Sequence, residues 1–157
     1  PFENRIRLLM ETVDAVREEW PPDLPLFIRL SMTDWVDGGW DLPESVELYR
    51  RLTARGYVDL IDCTSGGNDA RQRIPIHPGY QGPFAERVRR ETGIATAAVG
   101  LISSPEAAEE IIANQRADIV VMGRMLLNDP YWPLHAANAL KAKNVCWQVQ
   151  YERANIF

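Results

Sequence analysis

The sequence is poor in the residues that most often carry metal, thiol or nucleic-acid chemistry. Of 157 residues, two are cysteine, two histidine and two lysine. Cys63 and Cys146 lack C-x-x-C spacing, and Cys63 sits in an apolar, strand-like run, so it reads as a reduced, buried thiol and not as half of a disulfide or a metal ligand. No metal site is expected. His77 lies between prolines and reads as a loop histidine; His135 falls in the final helical stretch and reads as a helix-surface one. There is no dense Lys/Arg run, and the formal net charge is −5, which argues for a small-molecule partner and against nucleic acid. No apolar run approaches the ~18 residues of a membrane span. No charged-then-apolar leader precedes the first helix, so a cytoplasmic protein with no membrane contact is expected. A glycine-rich G-x-G-x-x-G turn is also missing, which disfavours a dinucleotide-binding doubly wound sheet.

What is present is an ordinary globular composition, 46% hydrophobic and 25% charged, enough for one domain with a real core. Fifteen arginines stand against the two lysines, a bias that fits either a GC-rich genome or heat adaptation. Two short apolar runs, Ala97-Ala98-Val99-Gly100-Leu101 and Val120-Val121-Met122-Gly123-Arg124, each stop at a glycine. In a parallel α/β fold this puts bare backbone at the carboxyl ends of strands, where ligands bind. Two such ends with the guanidinium of Arg124 make a phosphate cradle, of the kind that lies after strands seven and eight of (β/α)8 barrels. The plainer alternative is that both glycines only relieve crowding where strand becomes loop.

Taken in order, the apolar residues Ile6, Leu9, Met10, Val13 and Val16 recur at helical spacing over Phe2 to Trp20. Leu26 to Ser31 is a near-continuous apolar strand interrupted by Arg29, a cation that cannot stay in a packed core without an anion or an acid such as Asp34 or Asp62. Asp41 caps a helix that stops at Gly56, and Val58 to Cys63 is the next strand, ending in Thr64-Ser65-Gly66-Gly67. A long loop then leads to a helix from Pro83 to Thr92, a strand from Ile94 to Val99, and a helix capped by Ser104 that stops near Asn114. Ile119 to Met122 is the last strand, and Asp129-Pro130 starts the final helix. The arm from 141 to 157 is aperiodic and aromatic, a composition that docks on something. A helix followed by strand–helix four times, over residues 1–140, is half of a (β/α)8 barrel, strands five to eight when counted back from the cradle.

These residues also carry a family resemblance. The stretches PFENRIR, PLFIRLSMTDW, VDLIDCTSGG, IPIHPGYQ, AVGLI, ADIVVMGRMLLNDPYWP and QYER follow one another as in the C-terminal half of the Old Yellow Enzymes. That family comprises FMN-dependent ene-reductases, and the likeness is to its thermophilic-like bacterial subclass. The resemblance implies that NAD(P)H reduces FMN and that hydride then passes to an activated alkene such as an enone. It implies FMN contacts from Arg29 at the pyrimidine side of the ring and from Gly100, Gly123 and Arg124 at the phosphate, with Ser65 and Gly66 as further candidates. It also implies a homo-oligomer in which Arg153 of the arm enters a neighbouring subunit's substrate pocket.

The family's first four strands, with the pair that holds the substrate carbonyl and the proton-donating tyrosine, have no counterpart here, and neither His77 nor His135 matches that pair. The chain is therefore expected to be a fragment, one half of a split enzyme, an engineered half-barrel or a truncated gene product, inactive without the missing N-terminal half. The alternatives are a non-catalytic half-barrel that binds or assembles, or another phosphate-binding barrel such as a sugar-phosphate isomerase. The isomerase is disfavoured by the lack of an acid/base pair at these strand ends.

Overall fold

Neighbouring parallel strands can be joined only by a crossover of about a dozen residues or more, normally containing a helix. This chain makes that passage three times. The computed structural model describes residues 1–143 and 145–154. Helix α1 (Phe2–Glu19) leads to β1 (Phe27–Ser31), α2 (Leu42–Arg55), β2 (Leu60–Thr64), α3 (Gly82–Thr92), β3 (Ala95–Ala98), α4 (Pro105–Ala113) and β4 (Ile119–Val120). Two short helices, α5 (Arg124–Asn128) and α6 (Trp132–Ala139), and a 3-10 helix at Val149–Ala154 complete the order. The strands form one sheet, β1-β2-β3-β4, paired in parallel throughout. The α/β succession is as expected, and the local signals explain it. Asp41 accepts the Glu44 N–H at 2.9 Å to open α2, and Ser104 accepts the Ala107 N–H at 3.2 Å to open α4.

The period-two alternation of each strand sorts the sheet into two faces. Ile28, Leu30, Ile61, Cys63, Ala98 and Val120 turn to the helices and join Val46, Tyr49, Leu52, Phe84, Val88 and Ile111 in one core. Cys63 is fully buried and free, and burial, reinforced by the Asp62 charge, pushes its thiol up to about 12. The opposite face carries rows set by the register. Phe27 lies beside Leu60 and Ala95, and Arg29 beside Asp62, Ala97 and Ile119. Phe27 and Ile119 are 55% and 42% exposed, so among the described residues this second face is incompletely covered.

Several elements differ from the sequence reading. Arg29 is not held in a packed core: its side chain is 66% exposed, because alternation sends it with Phe27 to the open face while Ile28 and Leu30 take the core side. The run reads as near-continuously apolar because Phe27 on the open face adds to Ile28 and Leu30 on the core side. β4 is shorter than expected, although the Val121 N–H still donates to Ala98 O at 2.8 Å. α5 occupies a stretch to which the periodicity assigns no element. α6 begins at Trp132, after the Asp129 carboxylate has accepted the Tyr131 N–H at 3.1 Å in a local turn. The arm includes the 3-10 turn; Asn155, Ile156 and Phe157 lie outside the described residues.

One buried hydroxyl helps to fasten the loop leaving β1. Ser45, fully buried, receives the Trp40 Nε1–H at 2.6 Å and donates to Met32 O at 2.9 Å. Ser45→Ala removes the shared oxygen and leaves a buried donor and acceptor unpaired. It should lower unfolding free energy by about 1–3 kcal/mol, read as a shift in denaturant midpoint at unchanged slope; an unshifted midpoint would remove Ser45 from this role.

Candidate functional site

The carboxyl ends of the strands open onto a cleft of about 560 Å³. β1 contributes Arg29, the end of β2 contributes Thr64 and Ser65, and the loop before α3 contributes Tyr80 and Gln81. Gly100 follows β3, while Gly123 and Arg124 follow β4. Five of the six residues singled out from sequence for the cofactor therefore meet in one cavity: Arg29, Ser65, Gly100, Gly123 and Arg124. Gly66 does not line it. A Cβ built there would meet Ile74 Cδ1 at 2.6 Å, so Gly66 faces its own loop.

The cleft is locally cationic. Its lining holds two guanidinium groups and no carboxylate, on a chain whose net charge is −5. Elsewhere Arg5, Arg17, Arg50, Arg51, Arg87, Arg89 and Arg116 each meet a carboxylate at 2.6–3.1 Å. Arg124 is exposed and, among the described residues, meets none. Arg29 has only a loose pairing, Nε to Asp62 Oδ2 at 3.8 Å. Burial raises the Asp62 carboxyl above its ordinary range, against the pull of the Arg29 charge. Two under-neutralised cations in a concave site favour an anionic ligand.

The two glycines serve different ends. Gly100 is buried with φ +120, and a Cβ there would stand 3.2 Å from the Gln81 backbone N; its carbonyl accepts the Gly79 N–H at 2.7 Å. The chain's own packing thus already demands glycine at that point. Leu101 beside it is also in the left-handed region, φ 54, a concentration of backbone strain typical of ligand sites. Gly123 has an ordinary φ of −96, and a Cβ there would meet nothing within 4 Å. No contact within the described chain requires glycine at 123, and the space beside its Cα is open to the cleft.

Gln81 is a cleft residue that sequence reasoning missed. It is only 4% exposed, and its Oε1 accepts from Ser65 Oγ at 2.7 Å and Thr64 Oγ1 at 3.4 Å. With the oxygen so engaged, its amide NH₂ is left to donate into the cavity. A glutamine just before a Gly-Pro helix start reads as solvent-facing, and only the fold buries it.

The histidines are where they were expected. His77 is exposed with Nδ1 3.0 Å from Pro78 O, and His135 sits on α6 with Nδ1 2.7 Å from Asp129; neither lines the cleft. Arg153 is exposed and, among the described residues, pairs with no carboxylate. The arm lies along α6, enclosing a groove of about 540 Å³ with Tyr131, Leu134, Trp147 and Tyr151 in its walls.

The glycine contrast is directly testable. Gly100→Ala should lower thermal stability, because it meets both an unfavourable φ and the Gln81 backbone. Gly123→Ala should leave stability within about 0.5 kcal/mol, as an unobstructed surface change does. The reverse order of melting temperatures would contradict this assignment.

Comparison with known proteins bears on the cleft. The profile of the NADH:flavin oxidoreductase / NADH oxidase family matches residues 1–143. The chain is 50% identical over 151 residues to an NADPH dehydrogenase of Geobacillus thermodenitrificans (strain NG80-2), covering 96% of this chain and 43% of that protein. It is 45% identical over 153 residues to an NADPH dehydrogenase of Halalkalibacterium halodurans, covering 98% of this chain and 44% of that protein. The chain thus spans less than half the length of these curated relatives. Among solved structures it resembles a 2-naphthoyl-CoA reductase in complex with 2-naphthoyl-CoA, with a TM-score of 0.79 and 28% identity over 87% of this chain and 21% of that one. A histamine dehydrogenase from Rhizobium sp. 4-9 shares the fold, with a TM-score of 0.71 and 20% identity over 87% of this chain and 20% of that one. With its parallel sheet, its cation-lined cleft and a family match over nearly its whole length, the chain belongs to the NADH:flavin oxidoreductase / NADH oxidase family.

Proposed function

We propose that this chain is the cofactor-gripping half of an FMN-dependent NAD(P)H oxidoreductase, with β1 to β4 as the fifth to eighth strands of a (β/α)8 barrel. The observation that carries the reading is the cleft. Its two guanidinium groups have no carboxylate in the lining, and beside them is a glycine whose missing side chain leaves space that no neighbour fills. Those residues fit FMN. A phosphate suits the backbone of Gly123 and the guanidinium of Arg124, with Gly100 supplying backbone from the adjoining strand end. A ring that becomes more negative on reduction suits Arg29. Ser65 supports this surface indirectly, through its bond to Gln81. FMN, when bound, supplies the two-electron chemistry that takes hydride from NAD(P)H and delivers it to an activated C=C bond such as that of an enone. The printed names of the relatives, NADPH dehydrogenases, support the nicotinamide reductant.

This chain's own part is to bind, orient and electrostatically bias. Four strands cannot close a barrel, and the exposed Phe27 and Ile119 support a reading in which the missing N-terminal half covers the open face. That half would carry the groups that hold and protonate the substrate, so residues 1–140 alone should not turn over an alkene. The arm, residues 141–157, belongs in this reading to a homo-oligomer contact. The exposed Arg153 suits entry into a neighbouring subunit's pocket, because a guanidinium stays charged and can meet an acceptor there.

In the enzyme with a complete barrel, Arg124→Ala should weaken FMN roughly ten- to hundredfold, the worth of a charge-assisted bond. Arg29→Met should change FMN affinity much less while lowering the flavin midpoint potential. Unchanged FMN affinity for Arg124→Ala, measured by quenching of flavin fluorescence in a variant with native circular dichroism, would contradict the reading.

A further inference from the structure

Arg29 and Asp62 are register partners across β1 and β2, on the sheet face turned away from the helices. Their closest approach, Nε to Oδ2, is 3.8 Å, an ion pair without a hydrogen bond. Asp62 Oδ1 is buried and has no hydrogen-bond partner among the described residues. The other acid that the sequence offers to Arg29 is engaged elsewhere. Asp34 accepts the Trp40 N–H at 2.9 Å on one oxygen and Asn68 Nδ2 at 3.1 Å on the other. Asp62 is thus the carboxylate beside Arg29 with acceptor capacity to spare. The two side chains are unequally held. The short aspartate is 17% exposed and pinned by its strand, whereas the long arginine is 66% exposed. A buried carboxylate oxygen without a donor is costly, and the cost grows as solvent is excluded. Covering this face therefore favours closure of the guanidinium fork onto Asp62, which satisfies both partners.

We propose that Asp62 is the positioning residue for Arg29, its carboxylate holding the guanidinium at the cleft where the flavin would meet it. This deepens, and rests on, the reading of Arg29 as the flavin-side cation. The sign of the effect separates positioning from simple charge. If Asp62 acted on the flavin only through its own negative charge, neutralising it would raise the midpoint potential. If it anchors Arg29, neutralising it frees the arginine and lowers the potential, as loss of Arg29 does.

The test is a redox titration of the FMN-loaded enzyme with a complete barrel, as Asp62→Asn, Arg29→Met and the double variant. It is paired with ¹⁵N relaxation of the Arg29 Nε–H, which reports side-chain order whether or not flavin is retained. Asp62→Asn should lower the potential by about 15–30 mV, a three- to tenfold change in the two-electron equilibrium. It should loosen the Arg29 Nε, and in the Arg29→Met background it should no longer lower the potential, leaving it unchanged or slightly raised by loss of the aspartate's own charge. Asp62→Glu, which keeps the carboxylate, should stay nearer the parent. A raised or unchanged potential in Asp62→Asn, or an Arg29 Nε equally ordered with and without the carboxylate, would overturn the positioning role. An Arg29→Met variant with the parent's potential would instead overturn the reading on which the proposal rests.

Discussion

The parallel register of β1 to β4 is the constraint on which the rest of the structure depends. It brings all four carboxyl ends to one edge, so that an arginine from the first strand and an arginine after the fourth line the same cavity although 95 positions separate them. It also divides the apolar side chains into two populations. One is buried against the crossover helices; the other faces away and is left partly in water, as Phe27 and Ile119 show. A sheet apolar on both faces is the mark of parallel strands covered on both sides. Among the described residues the crossover helices cover only one of those faces, and Phe27 and Ile119 on the other stay partly exposed.

Charge is distributed to the same end. Most of the arginines are paired: Arg51 binds Glu3 and Glu47, linking α1 to α2; Arg89 binds Asp118, which also accepts the Thr96 N–H at 2.9 Å at the start of β3. Such surface pairs contribute little each, but they bring a carboxylate to most of the guanidinium groups outside the cleft. Inside it, Arg124 lacks a carboxylate partner among the described residues and Arg29 has one only at 3.8 Å. The contrast gives an acidic protein an anion-seeking site.

The order of elements was legible in the sequence because every signal for it is local. Helical spacing in α1, the Asp41 and Ser104 caps, and glycine stops are decided by neighbours a few residues away. The cleft was legible to a lesser degree. Gly100, Gly123 and Arg124 mark strand ends, and ends of parallel strands converge whatever lies between them. What local pattern could not supply was partition between faces. Arg29 looks buried in a run whose apolar residues belong to both sides of the sheet, and Gly66 looks like Gly100 until Ile74 is seen packed beside it. Gln81 looks exposed until the Ser65 and Thr64 hydroxyls are brought to it. These are long-range facts, set by which loop folds over which strand end.

In the function proposed above, the strand-end backbone and Arg124 grip a phosphate. The most direct measurement compares the affinity of the complete enzyme, stripped of cofactor, for FMN and for riboflavin, which differ only by that group. Riboflavin should bind on the order of a hundredfold or more weaker, and replacing Arg124 should remove much of the difference. Equal affinities for the two flavins would contradict it.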